Sequence, residues 1–245
     1  MSSLPPTDLH QPRIFDFETR EQFEKQAAGF ILESALDAVA EEGNFRVAFS
    51  GGSTPLPIYK NISNDPIFPW ESSEVYQVDE RFVPKESNES NQAQFEKSVS
   101  EETLGRIKEY HPFTVSGSVE ASVREYEEKL ESLDEPLFDL VVLGIGEDGH
   151  IASLFPGSSE LKEVGTSFVT SAFAPKSFAG SQRLTLTLKA ILSSQKVVVL
   201  LSGFQKQSVV TELIEGNKHV LEFPAKWLLQ HPNLFIYQYL GDETV

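Results

Sequence analysis

The 245-residue sequence contains no cysteine. This absence excludes disulfide bonds, thiolate nucleophiles and zinc sites with sulfur ligands, and it favours a reducing compartment. The five histidines are scattered along the chain and do not form a metal-binding motif. We therefore expect no metal site.

Positive charge is scarce as well. Lysine and arginine total 20 against 37 aspartates and glutamates, which gives a formal net charge of −17. Nonspecific binding to nucleic acids and attraction to anionic membranes both depend on lysine and arginine, so we expect neither partner. No apolar run approaches the roughly 20 residues of a membrane span. The composition indicates a cytoplasmic globular protein; its oligomeric state stays open, with a monomer favoured.

The chain shows no internal repeat and no low-complexity linker. We therefore expect a single α/β domain over residues 14–245, preceded by a flexible lead-in over residues 1–13. That lead-in contains prolines and lacks the basic and apolar regions of a secretory signal.

Short apolar runs alternate with segments of helical periodicity. The predicted strands cover residues 45–49, 75–78, 138–143, 167–174, 184–188, 196–201 and 234–239, and the predicted helices cover 19–42, 54–61, 91–99, 119–133, 204–214 and 225–230. This alternation is typical of a Rossmann-like α/β fold with a mostly parallel sheet and helices on both faces. Ligands bind such sheets at the carboxyl ends of the strands.

The first of these strand ends is rich in glycine and hydroxyl groups. Its residues are Ser50, Gly51, Gly52, Ser53 and Thr54. Backbone N–H groups at the start of the following helix suit a phosphate, but the loop lacks the Gly-Lys-Ser/Thr ending of a Walker motif. The segment is either a phosphate site or an ordinary strand-to-helix turn.

Charged side chains follow other predicted strands. Asp79, Glu80 and Arg81 follow the second one, where they form either a solvated loop or a carboxylate–arginine pair that faces an anionic ligand. Arg183 and Lys206 flank later strands. Each is an ordinary surface base by itself, but together they predict a local positive pocket in an acidic protein.

The sharpest signal is the segment from Gly144 to His150, which follows the most apolar strand and contains three glycines. It brings His150 to the sheet edge, two residues after Asp148. A carboxylate at that spacing fixes the tautomer of a histidine that acts as a general base. The alternative is a surface histidine in a turn.

These segments together resemble the 6-phosphogluconolactonase family. The resemblance covers roughly residues 15–239 and rests on several motifs in order: Ser-Gly-Gly-Ser-Thr-Pro at 50–55, Val-Asp-Glu-Arg-Phe-Val-Pro at 78–84, Ser90-Asn91, the segment 144–157, Arg183 with its Leu-Thr-Leu-Thr strand, Ser202-Gly203 with Lys206, and Phe223-Pro224-Ala225.

Related deaminases/isomerases of glucosamine 6-phosphate differ at two of these motifs. They carry tyrosine where this chain has Arg81, and a catalytic glutamate where it has Phe155, which transfers no proton. Both differences favour the lactonase over a sugar-phosphate isomerase or deaminase. A non-catalytic sugar-phosphate-binding module is the other alternative, and it predicts binding without turnover.

The resemblance implies hydrolysis of 6-phospho-D-glucono-1,5-lactone to 6-phosphogluconate in the oxidative pentose phosphate pathway, without a cofactor. We expect the loop 50–54 to hold the phosphate together with Arg183 and Lys206, with Arg81 close by. His150 takes a proton from water as the water attacks C1. Either Asp148 or Asp79 orients its imidazole.

Overall fold

The computed structural model describes residues 9–161, 165–175 and 182–241. Its strands are β1 (Arg13–Asp16), β2 (Phe45–Phe49), β3 (Ser73–Gln77), β4 (Asp79–Arg81), β5 (Glu109–His111), β6 (Leu140–Leu143), β7 (Val169–Phe173), β8 (Gln182–Leu186), β9 (Lys196–Ser202) and β10 (Leu234–Tyr239). Its α-helices are α1 (Arg20–Glu42), α2 (Leu56–Ser63), α3 (Asn91–Ser98), α4 (Glu101–Arg106), α5 (Val119–Glu131), α6 (Leu188–Leu192) and α7 (Gln207–Ile214). No helix in these ranges is long and apolar enough to cross a bilayer.

Seven strands form one parallel sheet in the order β1-β10-β9-β6-β2-β3-β5. Strands β3 and β5 extend the sheet on one side of β2. The chain then crosses back, and β6 and β9 extend the sheet on the other side of β2. The strand order therefore reverses between β2 and β6, and a crevice at such a point is the usual ligand site. The predicted Rossmann-like, mostly parallel sheet is confirmed.

Apolar side chains fill both faces of this sheet. Alternate residues of β6 belong to different cores: Leu140 and Val142 pack with α1 and α2, whereas Val141 and Leu143 pack with α5 and α7. Because side chains of a strand alternate between faces, a strand buried on both sides is apolar throughout. This double burial explains why β6 gave a clear signal in the sequence, and it confirms the predicted helices on both faces.

The longest helix also follows the sequence closely. The Thr19 hydroxyl accepts from the backbone N–H of Gln22 at 3.2 Å, which caps the first turn of α1. Gly43 ends the helix at φ 76°, a left-handed conformation that suits glycine.

Several elements differ from the predictions. Arg13, expected in the lead-in, begins the edge strand β1, whereas residues 1–8 lie outside the described ranges. Helix α4 and strand β5 were not predicted. The predicted helix 204–214 divides into a 3-10 turn (Phe204–Lys206) and α7, and the segment Pro224–Gln230 is a 3-10 helix.

A second, antiparallel sheet was not foreseen. It has the order β4-β8-β7 and lies beyond the carboxyl end of β3, because the predicted strand 75–78 is followed at once by β4. Arg81 of β4 stands opposite Arg183 of β8 in the pairing register. The small sheet therefore brings side chains that are about 100 residues apart in sequence to one place.

Candidate active site

A cleft of about 340 Å³ opens at the carboxyl edge of the main sheet, between the loops that follow β2, β6 and β9 and the small sheet. Ten residues singled out in the sequence line it: Ser50, Gly51, Gly52, Ser53, Thr54, Asp79, Arg81, His150, Arg183 and Lys206. Asp148 does not line the cleft but touches His150 from the side. The structure therefore brings all the predicted site residues together.

His150 and Asp148 form a close pair in the turn after β6. The His150 Nδ1 atom lies 2.6 Å from Asp148 Oδ1, and the backbone N–H of His150 donates to the same oxygen at 3.1 Å. Gly146 makes room for the pair, since a Cβ there would lie 2.1 Å from His150 Nδ1 and 2.8 Å from Asp148 Oδ1. A side chain at position 146 would therefore displace the imidazole.

The pair also changes the acidity of Asp148. Partial burial acts to raise the pKa of its carboxyl group, but the hydrogen bond and the charge of His150 outweigh burial and bring the pKa below its ordinary value. Asp148 is thus an ionised acceptor over the physiological range. In the neutral form of an imidazole, a carboxylate on Nδ1 favours the tautomer in which Nε2 carries the lone pair.

Asp79 has different partners. Its Oδ2 accepts a hydrogen bond from the Ser153 hydroxyl at 2.6 Å, and its Oδ1 accepts from the Asn91 amide at 3.1 Å. Asn91 also donates to the backbone carbonyl of Asp79 at 2.9 Å. These contacts tie β4 to α3 and to the turn that follows His150.

Glu80, the neighbour of Asp79, is 1% exposed and points away from the cleft into the start of α3. Its carboxylate accepts from the backbone N–H groups of Asn91 and Gln92, each at 2.7 Å, and from the Ser90 hydroxyl at 3.0 Å. Negative charge at a helix N-terminus is stabilising. Glu80 is therefore a buried helix cap, which neither interpretation of the sequence foresaw.

Arg81 and Arg183 lie on adjacent strands and both line the cleft. Arg81 Nη1 donates to the carbonyl of Glu89, which holds the guanidinium against the loop before α3. Arg183 is 4% exposed; burial, and next the charge of Arg81, lower the pKa of its guanidinium. Two like charges held this close favour an anionic ligand between or beside them.

Lys206 supplies a third cation from the other side of the cleft. Its Nζ donates to the carbonyl of Ile145 at 2.8 Å, in the same loop that carries His150. Burial lowers the pKa of this ammonium, while the carboxylates of Glu147 and Asp148 act in the opposite direction. Lys206 thus connects the loop after β9 with residues 144–157, which carry His150 and are called the His150 turn below.

The loop after β2 forms another side of the cleft. Gly51 packs so tightly on Asn91 that a Cβ would lie 2.0 Å from Asn91 Oδ1, and Gly52 has φ 101°. The Tyr59 hydroxyl donates to the Ser50 carbonyl at 2.9 Å and fixes the loop on α2. The Ser50 hydroxyl is buried with no hydrogen-bond partner among the described residues.

Sequence reasoning missed two residues near His150. Ser153 gave no signal, because its partner Asp79 lies 74 residues earlier in the chain. The sequence shows only that Phe155 cannot transfer a proton. Its ring packs on the His150 imidazole with centroids 4.8 Å apart, so it also forms a wall beside the base. Ala152, between His150 and Ser153, has a left-handed φ of 51°.

A family model for glucosamine-6-phosphate isomerases/6-phosphogluconolactonase matches residues 18–236. The chain belongs to this family. A "Probable 6-phosphogluconolactonase" of Dictyostelium discoideum is 32% identical to this member over 234 residues, with 92% of this chain and 98% of the relative covered. These findings confirm the resemblance inferred from the motifs.

Solved structures of the isomerase/6-phosphogluconolactonase family share the fold. The crystal structure of a 6-phosphogluconolactonase from Shewanella baltica has a TM-score of 0.84 and 27% identity, with 94% of this chain and 98% of that chain covered. A monomeric glucosamine-6-phosphate deaminase has a TM-score of 0.77 and 22% identity, with 93% and 97% covered. The fold therefore serves both branches, and the residues of the cleft must separate them.

Proposed function

We propose that this protein is a 6-phosphogluconolactonase that hydrolyses 6-phospho-D-glucono-1,5-lactone, with His150 as the general base. The observation that carries the proposal is the pair of His150 and Asp148 at 2.6 Å in a cleft that also holds three cationic side chains. The named relative supports the same reaction class. A base beside an anion site suits water-based chemistry on a phosphorylated substrate.

In this scheme Asp148, not Asp79, orients the base. Asp148 accepts the Nδ1–H proton of His150, so Nε2 carries the lone pair that receives a proton from water. As that proton moves, the water oxygen bonds to lactone C1 and the carbonyl electrons pass to its oxygen. When the carbonyl forms again, the bond from C1 to the ring oxygen breaks and His150 returns the proton to that oxygen.

The phosphate end of the substrate supplies the orientation. The loop 50–54 presents backbone N–H groups at the start of α2, and Arg183 and Lys206 contribute positive charge, with Arg81 next to Arg183. Binding energy from the remote phosphate then holds C1 near the base. Oxyanion donors come from the glycine-rich backbone or a basic side chain, and the scheme needs no cofactor.

Phe155 argues against a deaminase or isomerase. Those enzymes need a group that moves a proton at this position, and Phe155 presents an apolar ring packed on His150. A non-catalytic sugar-phosphate-binding module would keep the anion site but gains nothing from a base with an ionised partner. The cleft therefore favours the lactonase over both alternatives.

The decisive experiment is lactone hydrolysis with 6-phosphogluconate dehydrogenase as the coupled readout. The lactone is generated in place, and the rate is measured above its spontaneous opening. We expect His150→Ala to lower kcat by about 10²–10⁴-fold, the usual contribution of a general acid–base group. His10→Ala is the matched control, because His10 is exposed and does not line the cleft. If His150→Ala hydrolysed the lactone at the wild-type rate, His150 would not be the general base.

A second substrate tests the anion site. Arg183→Ala should weaken the use of the phosphorylated lactone much more than that of unphosphorylated gluconolactone, because only the former has the dianion. Comparable losses of kcat/KM on both substrates would contradict the phosphate assignment. Binding of 6-phosphogluconate without any turnover by the wild type would instead identify a binding module.

A further inference from the structure

The His150 turn rests on a segment that belongs to neither sheet. Residues 216–226 follow α7, include the first residues of the 3-10 helix Pro224–Gln230, and pass behind the turn. The Ala225 N–H donates to the Gly149 carbonyl at 2.9 Å, and the Gly157 N–H donates to the Leu221 carbonyl at 2.7 Å. The segment therefore holds the turn on both sides of Phe155.

A close contact strengthens this support. A Cβ on Gly149 would lie 2.3 Å from Cδ2 of Phe223, and Gly149 has φ 88°, so both space and conformation require glycine there. Phe223 is 1% exposed and fills the volume directly behind the residue that precedes His150. Because Phe223 packs on Gly149, the residue before His150, a shift of Phe223 would displace His150.

Lys226 fixes the segment from within. The residue is 9% exposed, and its Nζ donates to Glu212 Oε1 at 2.7 Å and to the carbonyls of Gly216 and Lys218, both at 2.8 Å. All three ammonium hydrogens therefore have acceptors. Two of the acceptors are carbonyls of the segment itself, and the third belongs to α7.

The same helix reaches the anion site. Glu212 lies on α7, and Lys206 is the N-cap residue of that helix. Lys206 in turn donates to Ile145 at the start of the His150 turn. Lys226 thus contacts both the segment that holds His150 in place and, through Glu212, the helix whose N-cap is Lys206. A partly buried ion pair such as Lys226–Glu212 is weak evidence for stability, because desolvation offsets the attraction. The three hydrogen bonds of Lys226 are the more informative feature.

We propose that Lys226 is a positioning residue for the active site, which fixes the segment 216–226 so that Phe223 and Ala225 hold the His150 turn in its reactive position. The effect on turnover rests on the proposed lactonase function. The effect on the turn itself does not, because it is a property of the fold. Small displacements of a catalytic group have large kinetic costs, so this remote residue should act on kcat.

The test compares Lys226→Met, which keeps the length of the side chain and removes its charge and donors, with Lys129→Met. Lys129 forms an exposed pair with Glu125 at 3.0 Å on α5 and makes a matched control. Two quantities are measured at 25 °C on protein shown to be folded by circular dichroism: kcat in the coupled assay, and amide hydrogen exchange over residues 144–157. A purely structural role would lower the Tm and leave kcat of the folded protein unchanged.

We expect Lys226→Met to lower kcat by about 10-fold or more and to speed exchange over residues 144–157, with Lys129→Met like the wild type in both. If Lys226→Met does not fold, Glu212→Gln replaces it, since glutamine still accepts from Lys226 but lacks the charge; a smaller change of the same kind is expected. With an active wild type, a wild-type kcat of the folded variant would overturn the proposal, and so would wild-type exchange over 144–157. An inactive wild type would defeat the lactonase function alone, and the exchange measurement would still decide the role of Lys226.

Discussion

Asp148 and Asp79 lie in the same candidate active site, and both follow strands of the main sheet, yet their surroundings differ. Asp148 contacts a titratable partner, the imidazole of His150. Asp79 contacts two neutral donors, the Ser153 hydroxyl and the Asn91 amide, and through them joins three parts of the fold. One carboxylate is therefore placed to act on a base, and the other is placed to hold the cleft together while it also lines the cleft.

The difference teaches that an acidic residue after a strand does not by itself reveal its role. Glu80 is a further example, because this third carboxylate is buried and caps α3. The role follows from the groups that donate to each carboxylate. Variants that remove one set of contacts at a time test whether this distinction holds.

The largest expected effect concerns Asp148. Asp148→Asn keeps the shape of the side chain but removes the charge, and it allows the amide to donate to Nδ1, which favours the wrong tautomer of His150. We expect kcat for the lactone to fall about 10²-fold or more. Asp37→Asn, which changes an exposed aspartate on α1, is the control. A kcat within a factor of two of the wild type would return the orienting role to an open question.

A moderate effect is expected for the contacts of Asp79. Ser153→Ala removes the 2.6 Å hydrogen bond and leaves a buried carboxylate oxygen without its donor. The free energy of unfolding, measured with urea, should fall by about 1–3 kcal/mol. Combining Ser153→Ala with Asp79→Asn in a double-mutant cycle isolates the pair, and an interaction of about 0.5 kcal/mol or more is expected. Strict additivity of the two variants would show that the pair contributes nothing.

The main sheet could be predicted from the sequence because its signals are local. Strand β2 has the predicted bounds, and the cap at Thr19 and the stop at Gly43 are both confirmed. Strand β5 escaped prediction because three residues of a partly exposed edge strand show no apolar run. The small sheet escaped for another reason, since its pairing of Arg81 with Arg183 joins distant segments.

The same distinction applies to the site. Glycine-rich and charged segments after strands are readable in sequence, and so ten of the residues that line the cleft were predicted. The choice between Asp148 and Asp79 was not readable, because it depends on which donor reaches which oxygen. Ser153 and Lys226 were invisible for the same reason: each acts through a partner at a distance in the chain or through backbone carbonyls.

The smallest expected effect is on the pH dependence of stability. The pKa of Asp148 in the folded protein lies below its ordinary value, for which about 3.9 is typical in an unfolded chain. Its ionised form therefore stabilises the fold at pH values above the unfolded pKa, and this contribution is lost as the pH falls through the folded pKa. The free energy of unfolding of the wild type should exceed that of Asp148→Asn at pH 6, and the gap should narrow below about pH 4. Because Asp148 is partly exposed, solvent limits the size of this gap. Urea unfolding of both proteins from pH 6 to pH 2.5 measures it, and a gap that is constant or widens toward acid would contradict an ionised Asp148 stabilised by His150.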